Sequence, residues 1–247
     1  MRRRQFITAI TLSVLAAGPV LADEPRRLVM ASLVSNNESV VARWLALIYT
    51  DAFQQLGIEL DIRNFPAARA AAEAAAGNVD GELARSYEYE TTQTVLVRVP
   101  EPTFFARTIA FARRPDIQLA PGWESLRGTP YRVEYRLGYP VMAHKLAAVL
   151  PASQLSEVRN AETGLRKLML GRSDLYVDFA DIVDAMLERA DFRDAGIRAV
   201  TLLERGPIHA YLNRKHADLA PRLAAILKKM RESGQTERYR LQALHQK

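Results

Sequence analysis

Apolar positions along the chain fall into short strand-like runs and helical stripes. Arg27-Leu28-Val29-Met30-Ala31-Ser32-Leu33 is a buried-strand run that opens into the polar loop Ser35-Asn36-Asn37. Val40, Val41, Trp44, Leu45, Ile48, Ala52, Phe53 and Leu56 then recur at helical spacing, with Glu38 in the first turn and Gly57 as the stop. Ile58, Leu60 and Ile62 alternate with Glu59, Asp61 and Arg63, which predicts a strand with one wet face ending at Asn64-Phe65-Pro66. Ala67 to Ala76 reads as a second helix closed by Gly77. This order of strand, helix, strand, helix is that of right-handed crossover units on a parallel sheet.

Further strands are predicted from Thr94 to Val99 and from Phe104 to Ala112, separated by Pro100-Glu101-Pro102. A shift in composition from Arg113 to Gly122 suits a boundary between lobes. Beyond it Tyr131, Val133 and Tyr135 alternate with charged residues, and Leu137-Gly138-Tyr139 leads to Pro140 at the first position of a helix. A helix carrying Leu165, Leu168 and Met169 ends at Gly171, and Asp174 to Phe179 is strand-like. Ile182, Val183, Met186 and Leu187 mark another helix. Strands follow from Ile197 to Leu203 and from Ile208 to Leu212, and Leu219, Leu223, Ile226, Leu227 and Met230 stripe a long final helix.

The first residues alter this picture. Met1-Arg2-Arg3-Arg4, an apolar run from Phe6 to Ala17 and Val20-Leu21-Ala22 have the order of a secretory signal peptide, with cleavage expected after Ala22. Arg3-Arg4-Gln5-Phe6-Ile7 also resembles a twin-arginine export signal. Without Arg2, Arg3 and Arg4, the 34 lysines and arginines fall to 31 against 28 acids, so the mature chain carries only about +3. No basic block has the concentrated charge or interleaved aromatics that nucleic acid demands. With no cysteine, thiolate metal sites and thiol chemistry are excluded. The scattered His144, His209, His216 and His245 form no ligand pair at helical spacing, and the glycine-rich phosphate loops and Gly-x-Ser-x-Gly are missing. Neither a cofactor nor a metal is expected, and the reading is not enzymatic.

What remains are polar and aromatic residues at the carboxyl ends of predicted strands, where open α/β sheets bind ligands. The candidates are Ser35, Asn36, Phe65, Tyr87, Tyr139, Arg85 and Asp178. Arg85 suits a bidentate carboxylate contact, and equally an ion pair with Glu82, Glu88 or Glu90. Asp178, set in the apolar run Leu175 to Phe179, needs a partner. A ligand ammonium and an N-cap role for the following helix are both open. Gly138-Tyr139-Pro140 offers either backbone donors to an anion or an ordinary strand-to-helix turn.

Four segments, "AARAAAEAAAGNVDGELARSYEY", "VLVRVPEPTFFARTIAFARR", "WESLRGTPYRVEYRLGY" and "GLRKLMLGRSDLYVDFADIVDAML", together resemble, in order, the periplasmic solute-binding proteins that serve amino-acid ABC importers. The resemblance implies a two-lobed type II periplasmic-binding-protein-like α/β fold with a central hinge and an interlobe cleft. Lobe 1 would comprise residues 23–108 and 205–247, and lobe 2 residues 109–204, joined by strands near Phe104 to Phe111 and Thr201 to Leu212. It further implies that Arg85 binds the α-carboxylate and Asp178 the α-amino group of an amino-acid-like solute. Glu82-Leu83-Ala84 stands where the family has Thr-Pro-Glu, and Ser35-Asn36-Asn37-Glu38 replaces an aromatic-rich loop. The implied protein is a periplasmic monomer that closes on its ligand and is read by an ABC permease or a membrane sensor domain. Two alternatives stand beside importer service. One is a sensory or interaction module that kept the fold. The other is a periplasmic enzyme using Asp178 with Asp181.

Overall fold

The computed structural model describes residues 26–33 and 39–245. The expected signal peptide, Ser35, Asn36 and Glu38 lie outside them. β1 (Arg26–Ser32) pairs in parallel with β2 (Ile58–Asn64) and with β3 (Gly81–Ser86), and the connections run through α1 (Val40–Gln54) and α2 (Ala67–Ala75). Ser39 caps α1 by accepting from Ala42 N, and Gly57 and Gly77, at φ +71° and +76°, supply the left-handed turns after α1 and α2. The alanines of α2 lose no side-chain entropy in the helix and bury Ala67, Ala70 and Ala74.

The second half repeats the scheme. β6 (Val133–Arg136) lies parallel to β7 (Leu155–Val158) and β8 (Leu175–Phe179), with α3 (Pro140–Ala147), α4 (Ala161–Met169) and α5 (Ala180–Leu187) between and after them. Pro140 occupies the first turn of α3 as its fixed φ predicts. Between the halves run β5 (Phe104–Ala112) and β9 (Arg198–Asn213), paired antiparallel over most of their length. The short β4 (Leu96–Arg98) also joins β9, so one curled sheet of order β2-β1-β3-β9-β5-β8-β6-β7 spans both halves. α6 (Leu219–Glu232) and α7 (Gln235–His245) return to pack on α1.

Two sets of cores flank the crossing strands. One gathers Met30, Ile48, Phe53, Leu83, Leu212 and Leu223, and the other Ala110, Leu126, Leu146, Leu175 and Val177. Four elements depart from the sequence reading. The polar stretch Gly81 to Ser86 is a strand, β9 is continuous where two strands were expected, and β7 and α7 were not foreseen. β3 tolerates its polar residues because Glu82 and Arg85 are buried against each other.

Candidate functional site

The carboxyl ends of β1, β3, β6 and β8 converge on a cleft whose empty space, open mouth included, is about 1070 Å³. Ser32 and Leu33 enter it after β1, Ser86 and Glu88 after β3, Tyr139 and Pro140 after β6, and Phe179 at the end of β8. The crossing strands contribute Phe104, Ala106 and Thr108 on one side and Glu204, Gly206 and Ile208 on the other. Most of the lining is apolar, with Leu45, Trp123, Met142 and Ile182 adding to it.

Arg85 reaches this cleft, but each of its three guanidinium nitrogens already has a partner. Nε pairs with Glu82, Nη2 donates to Ala67 O at 2.8 Å, and Nη1 donates across the cleft to Gly138 O at 2.9 Å. Its guanidinium also lies 4.4 Å from the Tyr89 ring centroid, and Tyr89 donates to the other Glu82 oxygen at 3.1 Å. The side chains of Arg85 and Glu82 are 2% and 0% exposed, so the guanidinium is neutralised inside the protein. A ligand carboxylate brought to Arg85 would meet Glu82 as a buried like charge. Of the two meanings open to Arg85, the ion pair with Glu82 is the one present.

Asp178 is fully buried, and its partner is Arg136, the residue beside it on β6. Arg136 Nη2 donates to Oδ1 at 2.7 Å, Nε lies 2.6 Å from Oδ2, and the Tyr176 hydroxyl also donates to Oδ2. Burial lowers the affinity of Arg136 for its proton, but the Asp178 carboxylate together with Tyr139 and Tyr176 outweighs that and the net shift is upward. Asp178 is absent from the cleft lining and does not cap α5 across the turn; the backbone donor it accepts from is the adjacent Phe179 N at 2.7 Å. The expected guanidinium and carboxylate facing each other over a ligand are thus replaced by two separate ion pairs. Tyr139 stands between them, 6.0 Å from Arg85 and 4.4 Å from Arg136, with its ring edge-on to Phe179.

The other candidates divide. Tyr139 lines the cleft. Phe65 does not; it packs against the Ala70 and Tyr211 core beneath Arg69. Tyr87 faces outward at 47% exposure, covered by Arg98 at 3.5 Å and touching His209. Asp181 does line the cleft, but its proposed catalytic partner Asp178 is sequestered, so the two carboxylates present no acid pair to a common substrate. Among the described residues no group of three His, Asp or Glu could hold a metal.

Sequence reasoning missed the polar end of the cleft. Lys145 on α3 donates to both Glu204 oxygens at 2.7 Å and to Glu88 at 3.1 Å, and Trp123 Nε1 donates to Glu204 at 3.0 Å. Burial alone would lower the Lys145 pKa, but its bonds to Glu204 and Glu88 outweigh it and the net direction is up. These partners lie 57 and 59 residues from Lys145, beyond any local pattern. A second contact across the cleft is steric. Gly138, at φ +89°, sits so close to α2 that a Cβ would stand 2.3 Å from Ala68 N.

No protein-family model matches the chain. An uncharacterized protein of Shewanella oneidensis is 32% identical over 240 residues, spanning 96% of this chain and 90% of that one. Among solved structures, a histidine kinase sensor domain with similarity to periplasmic binding proteins aligns over 89% of this chain and 96% of its own, with TM-score 0.73 and 20% identity. An amino acid ABC transporter substrate-binding protein of Streptococcus pneumoniae bound to L-arginine aligns over 88% and 94%, with TM-score 0.69 and 14% identity. An ancestral arginine-binding protein bound to arginine aligns over 86% and 96%, with TM-score 0.68 and 15% identity. These neighbours are binding and sensor proteins.

Proposed function

The chain belongs to one family with the Shewanella oneidensis protein and has the two-lobed, type 2 periplasmic-binding-protein fold, and from that premise we propose that it captures a small solute by closing its lobes. The observation that carries this is the cleft itself: both halves line it, and Arg85 to Gly138 O and Lys145 to Glu88 tie them together across it. Such contacts exist only when the lobes are near, so a ligand that fills the space shifts the population toward the closed shape. We assign lobe 1 to residues 23–108 and 205–247 and lobe 2 to 109–204. The separate cores on either side of the crossing strands support that division.

Export to the periplasm and delivery to an ABC permease complete the reading. A sensory output is the second reading, favoured by the likeness in fold to the histidine kinase sensor domain. Thermal-shift screening of the purified protein against amino acids, carboxylates, amines, polyamines and sugars tests capture. A true ligand at about a hundred times its Kd adds roughly 2.7 kcal/mol and raises Tm by about 5–10 °C. If no class of compound moves Tm, solute capture is wrong. Loss of uptake on gene deletion marks the importer, and an altered transcriptional response with uptake intact marks the sensor.

A further inference from the structure

We infer that the ligand of this cleft is a small organic amine with an apolar body and no carboxylate of its own, its ammonium held among Glu88, Glu204 and Asp181. This rests on the reading that the cleft takes a solute, and it follows from the fixed charges around it. The cations lining the cleft are Arg85 and Lys145, and the anions Glu88, Asp181 and Glu204. Arg85 is already neutralised by Glu82 from behind. Lys145 brings one positive charge to two carboxylates, leaving one negative charge in excess. Arg107 stands 3.8 Å from Asp181, in a pair about half exposed that offsets its charge weakly.

Among the described residues an anion entering this space finds no uncommitted positive charge, whereas an ammonium finds carboxylates in surplus. The apolar walls sharpen the preference, since low-dielectric surfaces strengthen the field of the few charges they surround. Those walls also define the rest of the ligand. Leu45, Phe104, Met142 and Ile182 offer nothing to hydroxyls, while the Trp123 and Tyr139 rings suit a cation beside an apolar body. Two carboxylates already gathered round Lys145 show that this end of the cleft accommodates an ammonium.

Calorimetry with three probes sharing one phenyl body tests this: 2-phenylethylamine, 2-phenylethanol and phenylacetate. The amine is expected to bind at least about 10-fold more tightly than phenylacetate, the scale of one charge-assisted hydrogen bond. Glu204→Gln, and independently the more exposed Glu88→Gln, should each weaken the amine more than 2-phenylethanol, which shares any change in lobe closure but carries no charge. Circular dichroism confirms that each variant is folded. Tighter binding of phenylacetate, or of sugars or amino acids in the wider screen, overturns the amine assignment while leaving solute capture standing. So does an unchanged affinity for the amine in both carboxylate variants. If nothing in either set binds, solute capture fails, and the amine assignment with it.

Discussion

Replacing Gly138 by alanine should separate lobe closure from folding. Two effects meet there. The backbone at φ +89° strains any residue with a Cβ, by about 1–2 kcal/mol, and that strain is present whether the lobes are open or closed. The added Cβ also falls 2.3 Å from Ala68 N and 2.7 Å from Ala67 C, backbone atoms of the opposite lobe that cannot rotate away. Ordinary contact requires a retreat of roughly 1.2 Å or more. That retreat stretches the 2.9 Å bond from Arg85 Nη1 to Gly138 O beyond hydrogen-bonding range. A charge-assisted bond of this kind contributes about 1.5–3 kcal/mol, so the closed form should lose roughly 10- to 150-fold in population. Affinity for 2-phenylethylamine, bound by the closed form, should fall by the same factor, and small-angle scattering should show a larger radius of gyration. Gly128→Ala is the control: φ is +71° and nothing lies within 4 Å, so it should lose stability and keep affinity. Equal affinity in the two variants would refute the claim that Gly138 limits closure.

Other perturbations probe the interior. Asp178→Asn leaves the Arg136 guanidinium buried without its counter-charge and should cost about 3–5 kcal/mol in urea denaturation; normal stability with weakened binding would return Asp178 to the ligand. Gly164→Ala puts a Cβ 2.4 Å from the buried Tyr176 ring, so overpacking of roughly 1–3 kcal/mol should outweigh the gain in helix propensity, read as a lower Tm. Burial pushes the Asp80 pKa up, but Lys215, Val29 N and His216 outweigh it and the net direction is down. A depressed carboxylate contributes stability above its unfolded pKa near 3.8 and loses it as pH falls through the lower folded value. Denaturation midpoints should therefore drop below about pH 4 in the wild type and drop less in Asp80→Asn.

The architecture was largely legible because it rests on local signals. The α1 stripe, the β2 alternation, Pro140 at the start of α3 and glycines 57 and 77 after the first two helices each report on a few neighbouring residues, and their order sets the topology. The misses have physical causes. β7 has four residues, too few to show a period, and α7 is largely polar on a helix held by α1 and α6. β3 was not assigned as a strand because Glu82 and Arg85 cancel each other only once both are buried.

Sequence alone settled most of the elements and their order, and that Arg85 and Tyr139 come near the strand ends that meet at the cleft. Tertiary structure decided what those groups can do. Whether a buried charge is free for a ligand depends on the counter-charge folding brings to it, and Arg136 to Asp178 or Lys145 to Glu204 are meetings across 42 and 59 residues. Periodicity extends over one element, while electrostatic balance is struck between elements. That is why the chain announces a binding fold, and only the folded cleft, with its excess of carboxylate, says which ligand charge it favours.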